Sequence, residues 1–422
     1  MTKVFKFGGA LMKDIQGMKR VAAIIEDFSC EPLVVVVSAL GKTTNALEEL
    51  LLLSLAGDTE NLQLAYFRIK QFHLHFAQQL LPDHSETLTV ELENEFLKLW
   101  DALNLKYQDK FFAYDQIVGF GENMAGIVLQ HYLQYKGIDQ RLIDARCLIV
   151  TNSNNTNAAI NWKMTEKTIR ARVVPVLKNM EVVLTQGFIG SDEKGNTTTL
   201  GREGSDFTAA IFAKVLQAEE VSIWKDVPGL MNCDPKRFKQ AVKLPQISYH
   251  EAIELAFYGA SVIHPKTIQP LQNEKIPLKV RALYKPDSTP SLISSETSHD
   301  SKIHKIIVKD KQVLLSIGSK NLSFVAEENL YGIFNAFSKN KIHINLMQNS
   351  AVSFSVCFDM DEEKLKTLML DLHKDYLLKY NTGLQLITIR HYNDKVISDL
   401  IHGKKVFLEQ KSRATVQFLV EG

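Results

Sequence analysis

The chain has 422 residues, of which 45% are hydrophobic and 23% charged, a composition typical of a soluble globular protein with two or three domains. Its 49 basic and 48 acidic residues nearly cancel, which excludes a global attraction to nucleic acid or to an anionic membrane, so any anion site must be local. The four scattered cysteines lack C-x-x-C spacing and favour a reducing cytoplasm over a disulfide framework or a cysteine zinc site.

The first part of the chain alternates short apolar runs with helical patterns, which predicts an α/β domain around a mainly parallel sheet. Within PLVVVVSAL, the continuous run VVVV is typical of a strand that is buried on both faces. Residues 58–110 show only helical periodicity and predict a helical insertion. Because the Pro- and Ser-rich residues 285–301 interrupt both periodicities, we expect the first domain to span residues 1–295.

Two α+β repeats follow this boundary. Residues 312–380 show the order strand, helix, strand, strand, helix, and residues 381–422 repeat it without the second helix. An incomplete repeat leaves a sheet edge unpaired, and proteins usually cover such edges. The isolated strand pattern IHKIIVK can fill this edge, so we predict that residues 300–311 join residues 381–422 in one domain, with residues 312–380 inserted as another.

Glycine-bearing loops follow several predicted strands, in KFGGAL, SALGKTTN and TLGREGSD, and GFGENMAG opens a further helical run. In an open α/β sheet the carboxyl ends of the strands share one crevice, so we expect these loops to form a single site. Lys6, just before Gly8 and Gly9, is placed as a point charge beside a phosphate, and the alternative is a solvated surface lysine.

The segment TTTLGREGSDFTAAIFAK predicts a helix that begins near Ser205 or Asp206. The unpaired N–H groups of such a helix start favour an anion, and Arg202 adds a fork of donors. The segment matches neither G-x-x-x-x-G-K-[ST] nor G-x-G-x-x-G, so on its own a plain glycine-rich turn explains it equally well.

Six motifs, in this order and spacing, resemble the aspartate kinases of the amino acid kinase superfamily: KFGG, VVSALGKTTN, GFGE, TTTLGREGSD, WKDVPGLMNCDP and YGASVIHPKT. The resemblance covers nearly the whole chain, because the C-terminal repeats resemble the tandem ACT domains of these enzymes. It implies an amino acid kinase fold followed by two ferredoxin-like ACT domains, in a homodimer or higher oligomer formed through those domains. It also implies that ATP and Mg²⁺ are used to phosphorylate the side-chain carboxylate of L-aspartate, the entry step to lysine, threonine and methionine. The chain resembles the monofunctional members, which lack a fused homoserine dehydrogenase.

The resemblance implies a role for each charged loop residue. Lys6 would stabilise the transferred phosphoryl group and Asp206 would hold that lysine, although a helix-capping aspartate is the alternative for the latter. Arg202 fits the α-carboxylate of the substrate and Glu122 its ammonium group, although the helix dipole also favours a carboxylate at a helix start. No general base is needed, because a carboxylate is already a nucleophile. The further implied contacts to the substrate are Thr44, Ser38 and Ser205, and those to the nucleotide are Lys6, Gly8, Gly9, Lys225, Asp226, Met231, Lys236 and Ser261.

Three positions depart from the family pattern. Leu11 removes a hydroxyl near the phosphates, Glu203 replaces a glycine of GRGGSD, and Ser261 stands where a lysine is common. Lys266 is a candidate to supply the missing charge. Because the sequence offers no cluster of carboxylates, we expect ATP oxygens and water to hold Mg²⁺.

ACT domains of this family bind lysine or threonine, and the resemblance implies Asn345, Asn349 and Ser350 as contacts to such an effector. Surface amides in any loop look the same in a sequence, so the effector is open. Two other functions also stay open. One is a kinase of glutamate or N-acetylglutamate, against which the ACT region argues, and the other is a catalytically inactive amino-acid sensor, against which the intact charged loop residues argue.

Overall fold

The computed structural model describes residues 1–179, 181–260, 263–320 and 327–422. The chain divides into two compact units. The first comprises Met1–Leu230, Lys243–Ile253 and Ser261–Thr297, and the second comprises Met231–Val242, Glu254–Ala260 and Ser298–Gly422. Two short segments between residues 1 and 295 therefore group with the second unit. Within the described ranges, no helix combines the length and the apolar character that crossing a membrane requires.

The first unit alternates strands and helices along most of its length. Its strands are β1 (Lys3–Phe7), β2 (Leu33–Val37), β3 (Gln140–Leu142), β4 (Val182–Gln186), β5 (Ile189–Ser191), β6 (Thr197–Thr199), β7 (Glu220–Lys225), β8 (Gln246–Ser248), β9 (Leu278–Ala282) and β10 (Ser291–Ser294). The helices that begin in it are α1 (Ile15–Phe28), α2 (Thr43–Ala56), α3 (Thr59–Leu80), α4 (Glu86–Leu103), α5 (Lys110–Val118), α6 (Phe120–Tyr135), α7 (Trp162–Arg172), α8 (Val174–Lys178), α9 (Gly204–Leu216), α10 (Tyr249–Phe257) and α11 (Pro265–Glu274).

One eight-stranded sheet organises this unit, in the strand order β3-β4-β2-β1-β7-β9-β10-β8. Neighbouring strands are parallel except β9 and β10. All residues of β2 and β4 are buried, as a strand covered by helices on both faces requires. The predicted α/β fold with a mainly parallel sheet is confirmed. Because β4, β2, β1 and β7 are parallel neighbours, their carboxyl ends lie at one edge of the sheet.

Strand β10 lies inside residues 285–301, which the sequence pattern describes only as an interruption. Ser291 takes a buried position of this strand, where an apolar residue would have revealed the alternation. Its hydroxyl donates to Leu244 O at 2.6 Å and accepts from the Leu230 N–H at 3.0 Å. The buried serine is satisfied by hydrogen bonds, so the strand is stable without an apolar side chain there.

The second unit contains an antiparallel six-stranded sheet, in the order β12-β13-β11-β14-β16-β15. Its strands are β11 (Lys305–Ser319), β12 (Ile344–Asn349), β13 (Ser353–Asp359), β14 (Tyr376–Arg390), β15 (Val406–Lys411) and β16 (Thr415–Glu421), and its further helices are α12 (Glu327–Lys339), α13 (Glu362–Leu372) and α14 (Asp394–Ile401). This antiparallel sheet with helices is the predicted ACT-type architecture. Helix α13 ends at Leu372, and strand β14 begins at Tyr376.

Strands β11 and β14 are each 15 residues long and pair along most of their lengths. The register shifts between Lys309 and Gln312, and Lys311 there has a φ of 51°. On one side of this irregularity Lys305 pairs with Arg390, and on the other Ser319 pairs with Tyr376. Residues 305–309 therefore pair with the first strand of the second repeat.

Candidate active site

A cavity of about 900 Å³ opens where β1, β2 and β7 end, beside the first turn of α9. This volume is within the range that a small substrate and a nucleotide occupy. Ten of the residues implied as substrate or nucleotide contacts line it: Lys6, Gly8, Ser38, Thr44, Glu122, Arg202, Ser205, Asp206, Lys225 and Asp226. Leu11 and Glu203, which depart from the family pattern, line it as well. The glycine-bearing loops thus meet at one place because parallel strands deliver them to the same edge.

Lys6 and Asp206 form an ion pair in this cavity. Their Nζ and Oδ1 atoms are 2.6 Å apart, and the two side chains are 13% and 5% exposed. The two charged atoms are close, but among the described residues Asp206 Oδ1 has no partner whose geometry meets that of a hydrogen bond. Because Lys6 alternates with the buried Phe5 and Phe7 along β1, its side chain points to the opposite face of the strand, toward α9. The carboxylate fixes the ammonium at the sheet edge.

Gly9 has a structural reason to be glycine. A Cβ atom at this position would lie 2.2 Å from Ala39 O, so any side chain would push apart the loops after β1 and β2. The Gly9 carbonyl also accepts a hydrogen bond of 3.0 Å from the Gly41 N–H. Gly9 itself does not line the cavity.

The first turn of α2 presents one of its two threonines to the cavity. Thr44 lines the cavity, whereas the buried Thr43 turns inward and donates to Leu40 O at 2.7 Å. The Thr43 hydroxyl also lies 3.5 Å from Nε2 of His73, whose Nδ1 is 2.9 Å from Ile69 O. Burial lowers the pKa of His73 to about 4, so this histidine of α3 is neutral and supports the turn. Residues 58–110 show only helical periodicity in the sequence, and that pattern does not reveal this contact.

Glu122, in the first turn of α6, is a buried carboxylate with one satisfied oxygen. Its Oε1 accepts from the Ala39 N–H at 3.4 Å, and its Oε2 has no hydrogen-bond partner within the described residues. Burial raises the pKa of Glu122 to about 8, and the charge of Lys6 opposes this shift only in part. A cationic group brought into the cavity would satisfy this carboxylate and favour its charged form.

Arg202 lies in the turn between β6 and α9, and its side chain is exposed to the cavity. Within the described part of the chain its guanidinium makes no hydrogen bond or ion pair, so its five donors are available to a ligand. Gly201, with a φ of 79°, shapes the turn. Ser205 packs against Gly187, where a Cβ atom would lie 2.5 Å from the Ser205 Cβ.

Glu203, the residue that replaces a glycine of GRGGSD, has a φ of 55° and a ψ of 28°. This left-handed conformation costs a residue with a side chain about 1–2 kcal/mol. Its carboxylate turns to accept a hydrogen bond of 2.9 Å from the His264 N–H. A hydrogen bond to a charged group contributes about 1.5–3 kcal/mol, which is enough to offset the backbone cost.

Asp115 of α5 is a second functional candidate that the sequence pattern did not reveal. The fully buried carboxylate accepts from the Thr199 hydroxyl at 2.6 Å and from the Thr156 N–H at 3.1 Å. Burial raises the pKa of Asp115 to about 6, although these hydrogen bonds oppose the shift. A single acidic residue in α5, KFFAYDQIV, was the available signal. Asp115 joins β6 to the Thr156 loop, which lines the cavity.

Three of the residues implied as nucleotide contacts, Gly9, Met231 and Lys236, do not line the cavity. Met231 and Lys236 belong to the segment Met231–Val242 of the second unit, and Ser261 lies outside the described residues. Lys266, the candidate substitute for a lysine at position 261, also points elsewhere. Its ammonium donates to Asn157 Oδ1 and, at 3.5 Å, to Leu200 O, and it does not line the cavity. Leu11 lines the cavity but is 2% exposed and belongs to the apolar core.

The residues implied as effector contacts are in or beside β12 of the second unit. Asn345 is committed to an internal network, in which its Oδ1 accepts from Lys309 Nζ at 2.8 Å and its Nδ2 donates to Gln312 Oε1 at 2.9 Å. Asn349 is exposed, and the Ser350 hydroxyl donates to Ser353 O at 3.1 Å. An effector that binds Asn345 must therefore replace existing hydrogen bonds, whereas Asn349 is accessible.

Comparison with known proteins identifies the family to which this architecture belongs. A family model described as the amino acid kinase family matches residues 1–282. Aspartokinase 1, chloroplastic, of Arabidopsis thaliana is 32% identical over 410 residues, which cover 92% of this chain and 70% of that protein. Lysine-sensitive aspartokinase 3 of Escherichia coli K12 is 29% identical over 409 residues, which cover 92% of this chain and 86% of that protein. The crystal structure of E. coli aspartokinase III in complex with aspartate and ADP superposes with a TM-score of 0.82 at 26% identity, covering 100% of this chain and 96% of that one. The chain therefore belongs to the amino acid kinase family and, within it, to the aspartokinases.

Proposed function

We propose that this protein transfers the γ-phosphoryl group of ATP to the side-chain carboxylate of L-aspartate, producing 4-phospho-L-aspartate and ADP. The observation that carries the proposal is the buried Oε2 of Glu122, in the same cavity as the Arg202 guanidinium and the Lys6–Asp206 pair. Among the described residues, neither that oxygen nor that guanidinium has a hydrogen-bond partner. An amino acid with an ammonium group and two carboxylates complements these charges. The relatives named aspartokinase, one of them crystallised with aspartate and ADP, support this choice over glutamate or N-acetylglutamate.

In this mechanism the side chains position charge and none acts as a general base. A carboxylate oxygen of aspartate attacks the γ-phosphorus, and the bond between that phosphorus and the bridging oxygen of ADP breaks. Lys6 neutralises charge on the moving phosphoryl group, and Asp206 keeps its ammonium there. Arg202 binds the α-carboxylate in a bidentate manner and Glu122 binds the ammonium group. Thr44, Ser38 and Ser205, which line the cavity, donate hydroxyl hydrogen bonds to the substrate in this proposal.

For the nucleotide, we propose contacts from Gly8, Lys225 and Asp226, which line the cavity. Within the described ranges, no three His, Cys, Asp or Glu side chains come together as a metal cage. The cavity carboxylates fit a metal ion that keeps most of its water and phosphate ligands. We therefore propose that Mg²⁺ is held chiefly by phosphate oxygens and water. When bound, Mg²⁺ would neutralise phosphate charge.

For the second unit, we propose two interleaved ACT domains, residues 312–380 and residues 300–311 with 381–422. The pairing of Lys305 with Arg390 supports this division, because it covers the sheet edge that the second repeat leaves open. We also propose that the protein forms a homodimer or larger homo-oligomer through these domains and responds to lysine, as the name of the lysine-sensitive E. coli relative suggests. Threonine is the alternative effector.

The decisive assay couples ADP release to a spectrophotometric readout and compares L-aspartate, L-glutamate and N-acetyl-L-glutamate as acceptors. We expect ADP release with aspartate well above that with either glutamate compound. Release with a glutamate compound alone would assign a different kinase, and no release with any of the three, while ATP still binds, would identify an inactive protein.

A further inference from the structure

Glu203 occupies a backbone conformation that suits glycine better. Its φ of 55° lies in the left-handed region, and it stands between Gly201, with a φ of 79°, and Gly204. The side chain is not turned into solvent, because its Oε2 accepts from the His264 N–H at 2.9 Å. This glutamate occupies a position that favours glycine, and its carboxylate is hydrogen-bonded to a segment distant in the sequence. The combination indicates that the side chain has a structural or functional role.

A second contact joins the same two segments. The Lys266 ammonium donates to Leu200 O at 3.5 Å, and it also donates to Asn157 Oδ1. His264 and Lys266 are themselves linked, since His264 Nδ1 accepts from the Lys266 N–H at 3.2 Å at the start of α11. The start of α11 is therefore tied to residues 200–203 at both ends of that turn, an arrangement that we call the α11 clasp.

The α11 clasp encloses Arg202, which lines the cavity together with Gly201 and Glu203. Arg202 lies between the tied residues Leu200 and Glu203, and no side chain of the described chain holds its guanidinium. The carbonyl of Glu203 accepts from the Asp206 N–H at 3.1 Å and from the Phe207 N–H at 3.2 Å, which begins helix α9. The position of Glu203 thus sets both the direction of Arg202 and the start of the helix that carries Asp206.

We propose that Glu203 is a positioning residue, which orients Arg202 toward the substrate through its hydrogen bond to the His264 N–H. The inference rests on the proposed function, because it assigns the consequence to aspartate binding. A rival explanation is that Glu203 only adds negative charge beside an anion site and weakens ATP binding. The two accounts differ in which substrate responds when the carboxylate is removed.

Three substitutions separate these accounts. Glu203→Ala removes the acceptor and keeps a side chain at the left-handed position, Glu203→Gly removes the acceptor and relieves the backbone, and Glu203→Gln keeps an acceptor oxygen without the charge. We expect the aspartate KM to rise about tenfold in the Ala and Gly variants, with kcat and the ATP KM within about twofold, and the Gln variant to resemble the unmodified protein. Glu193→Ala, in the exposed turn between β5 and β6, is the matched control and should change nothing.

A second readout does not need kinase activity. Trypsin cleaves after Arg202 only when the turn opens, so mass spectrometry of timed digests measures how firmly the clasp holds it. We compare Glu203→Ala with Glu203→Gln, because both variants have a neutral residue after the bond. Each cleavage rate is divided by the rate for the same chain when unfolded. We expect this normalised rate to be about tenfold higher in Glu203→Ala than in Glu203→Gln. This result supports the clasp even if the unmodified protein shows no aspartate kinase activity, which would count against the proposed function alone. Equal cleavage and equal aspartate KM in these two variants, or a lower ATP KM with an unchanged aspartate KM in Glu203→Gly, would overturn the proposal.

Discussion

The Lys6 ammonium and the Asp206 carboxylate lie 2.6 Å apart and are both largely shielded from solvent, so strand β1 and helix α9 meet through a charged pair at the edge of the sheet. A lysine held in this way does not have to be reorganised when charge develops on a nearby phosphoryl group, which is how fixed charges lower a barrier. The pair also links KFGG and LGREGSD, which are about 200 residues apart in the sequence.

Replacing Lys6 by alanine should lower kcat by about a hundredfold or more and change the aspartate KM less, because the lysine contact strengthens in the transition state. Steady-state kinetics with aspartate and ATP measure both constants. Lys3→Ala is the matched control, since Lys3 is on the same strand, pairs with Glu31 and does not line the cavity. Near-normal turnover of the Lys6 variant would remove its assigned role.

Replacing Arg202 by lysine keeps the charge and loses the planar fork. We expect the aspartate KM to rise about tenfold or more while the ATP KM stays near normal, because only the bidentate contact to a carboxylate is lost. Arg141→Lys is a suitable control, since Arg141 pairs with Glu181 away from the cavity. A weaker affinity for ATP instead would assign Arg202 to the phosphates.

Aspartate binding should release a proton at neutral pH. Burial raises the pKa of Glu122 to about 8 in the free protein, so its carboxyl group is mostly neutral at lower pH. An ammonium ligand favours the charged form and lowers this pKa, so aspartate affinity should increase as pH rises toward 8. Calorimetry in buffers of different ionisation enthalpy measures the released proton, and Glu122→Gln should abolish it. Proton uptake, or no proton exchange below pH 8, would contradict the assignment.

The same shift has a consequence for stability. The folded-state pKa of Glu122 lies above its ordinary value of 4.5, so the stability that its neutral form contributes is present at low pH and is lost as pH rises to about 8. Glu122→Gln cannot ionise, and its melting temperature relative to that of the unmodified protein should increase between about pH 5 and pH 8. A constant difference across this range would show that Glu122 is already ionised in the folded protein.

Disrupting strand β16 should affect regulation and assembly more than catalysis. Phe418 on β16 is 1% exposed and packs with Ile387 and Ile389, so Phe418→Asp, or a chain that ends after Ser412, exposes the core beneath α14. We expect loss of the dimer by size-exclusion chromatography and loss of any lysine or threonine response, with aspartate kinase activity retained. Val406→Asp, at a 40% exposed position of the edge strand β15, should have little effect. A Phe418 variant that still dimerises and responds would argue against the proposed role of this sheet.

Local sequence patterns predicted those parts of the fold that depend on the apolar or polar character of neighbouring residues in the chain. Apolar β2 indicated a buried parallel strand, and parallel strands bring the glycine loops to one edge, which is why Lys6, Glu122 and Asp206 could be predicted to share a site. Strand β10 could not be predicted, because Ser291 occupies one of its two buried positions and relies on hydrogen bonds with distant residues.

Long-range contacts explain the remaining differences. The support of the α2 turn by His73 and the tie between α5 and β6 through Asp115 join residues at least 30 positions apart, and no periodicity encodes them. The departure at Glu203 was visible in the sequence as an altered motif. Its bond to the His264 N–H, 61 residues away, depends on the fold.

The central claim is that a phosphoryl group is transferred to the side-chain carboxylate of aspartate, and trapping the product tests it most directly. An acyl phosphate reacts with hydroxylamine to give a hydroxamate, which mass spectrometry identifies and quantifies. With ATP, Mg²⁺ and L-aspartate, we expect the unmodified protein to accumulate the β-hydroxamate of aspartate and Lys6→Ala to form about a hundredth as much or less. Absence of this hydroxamate, or equal amounts from the two proteins, would contradict the account.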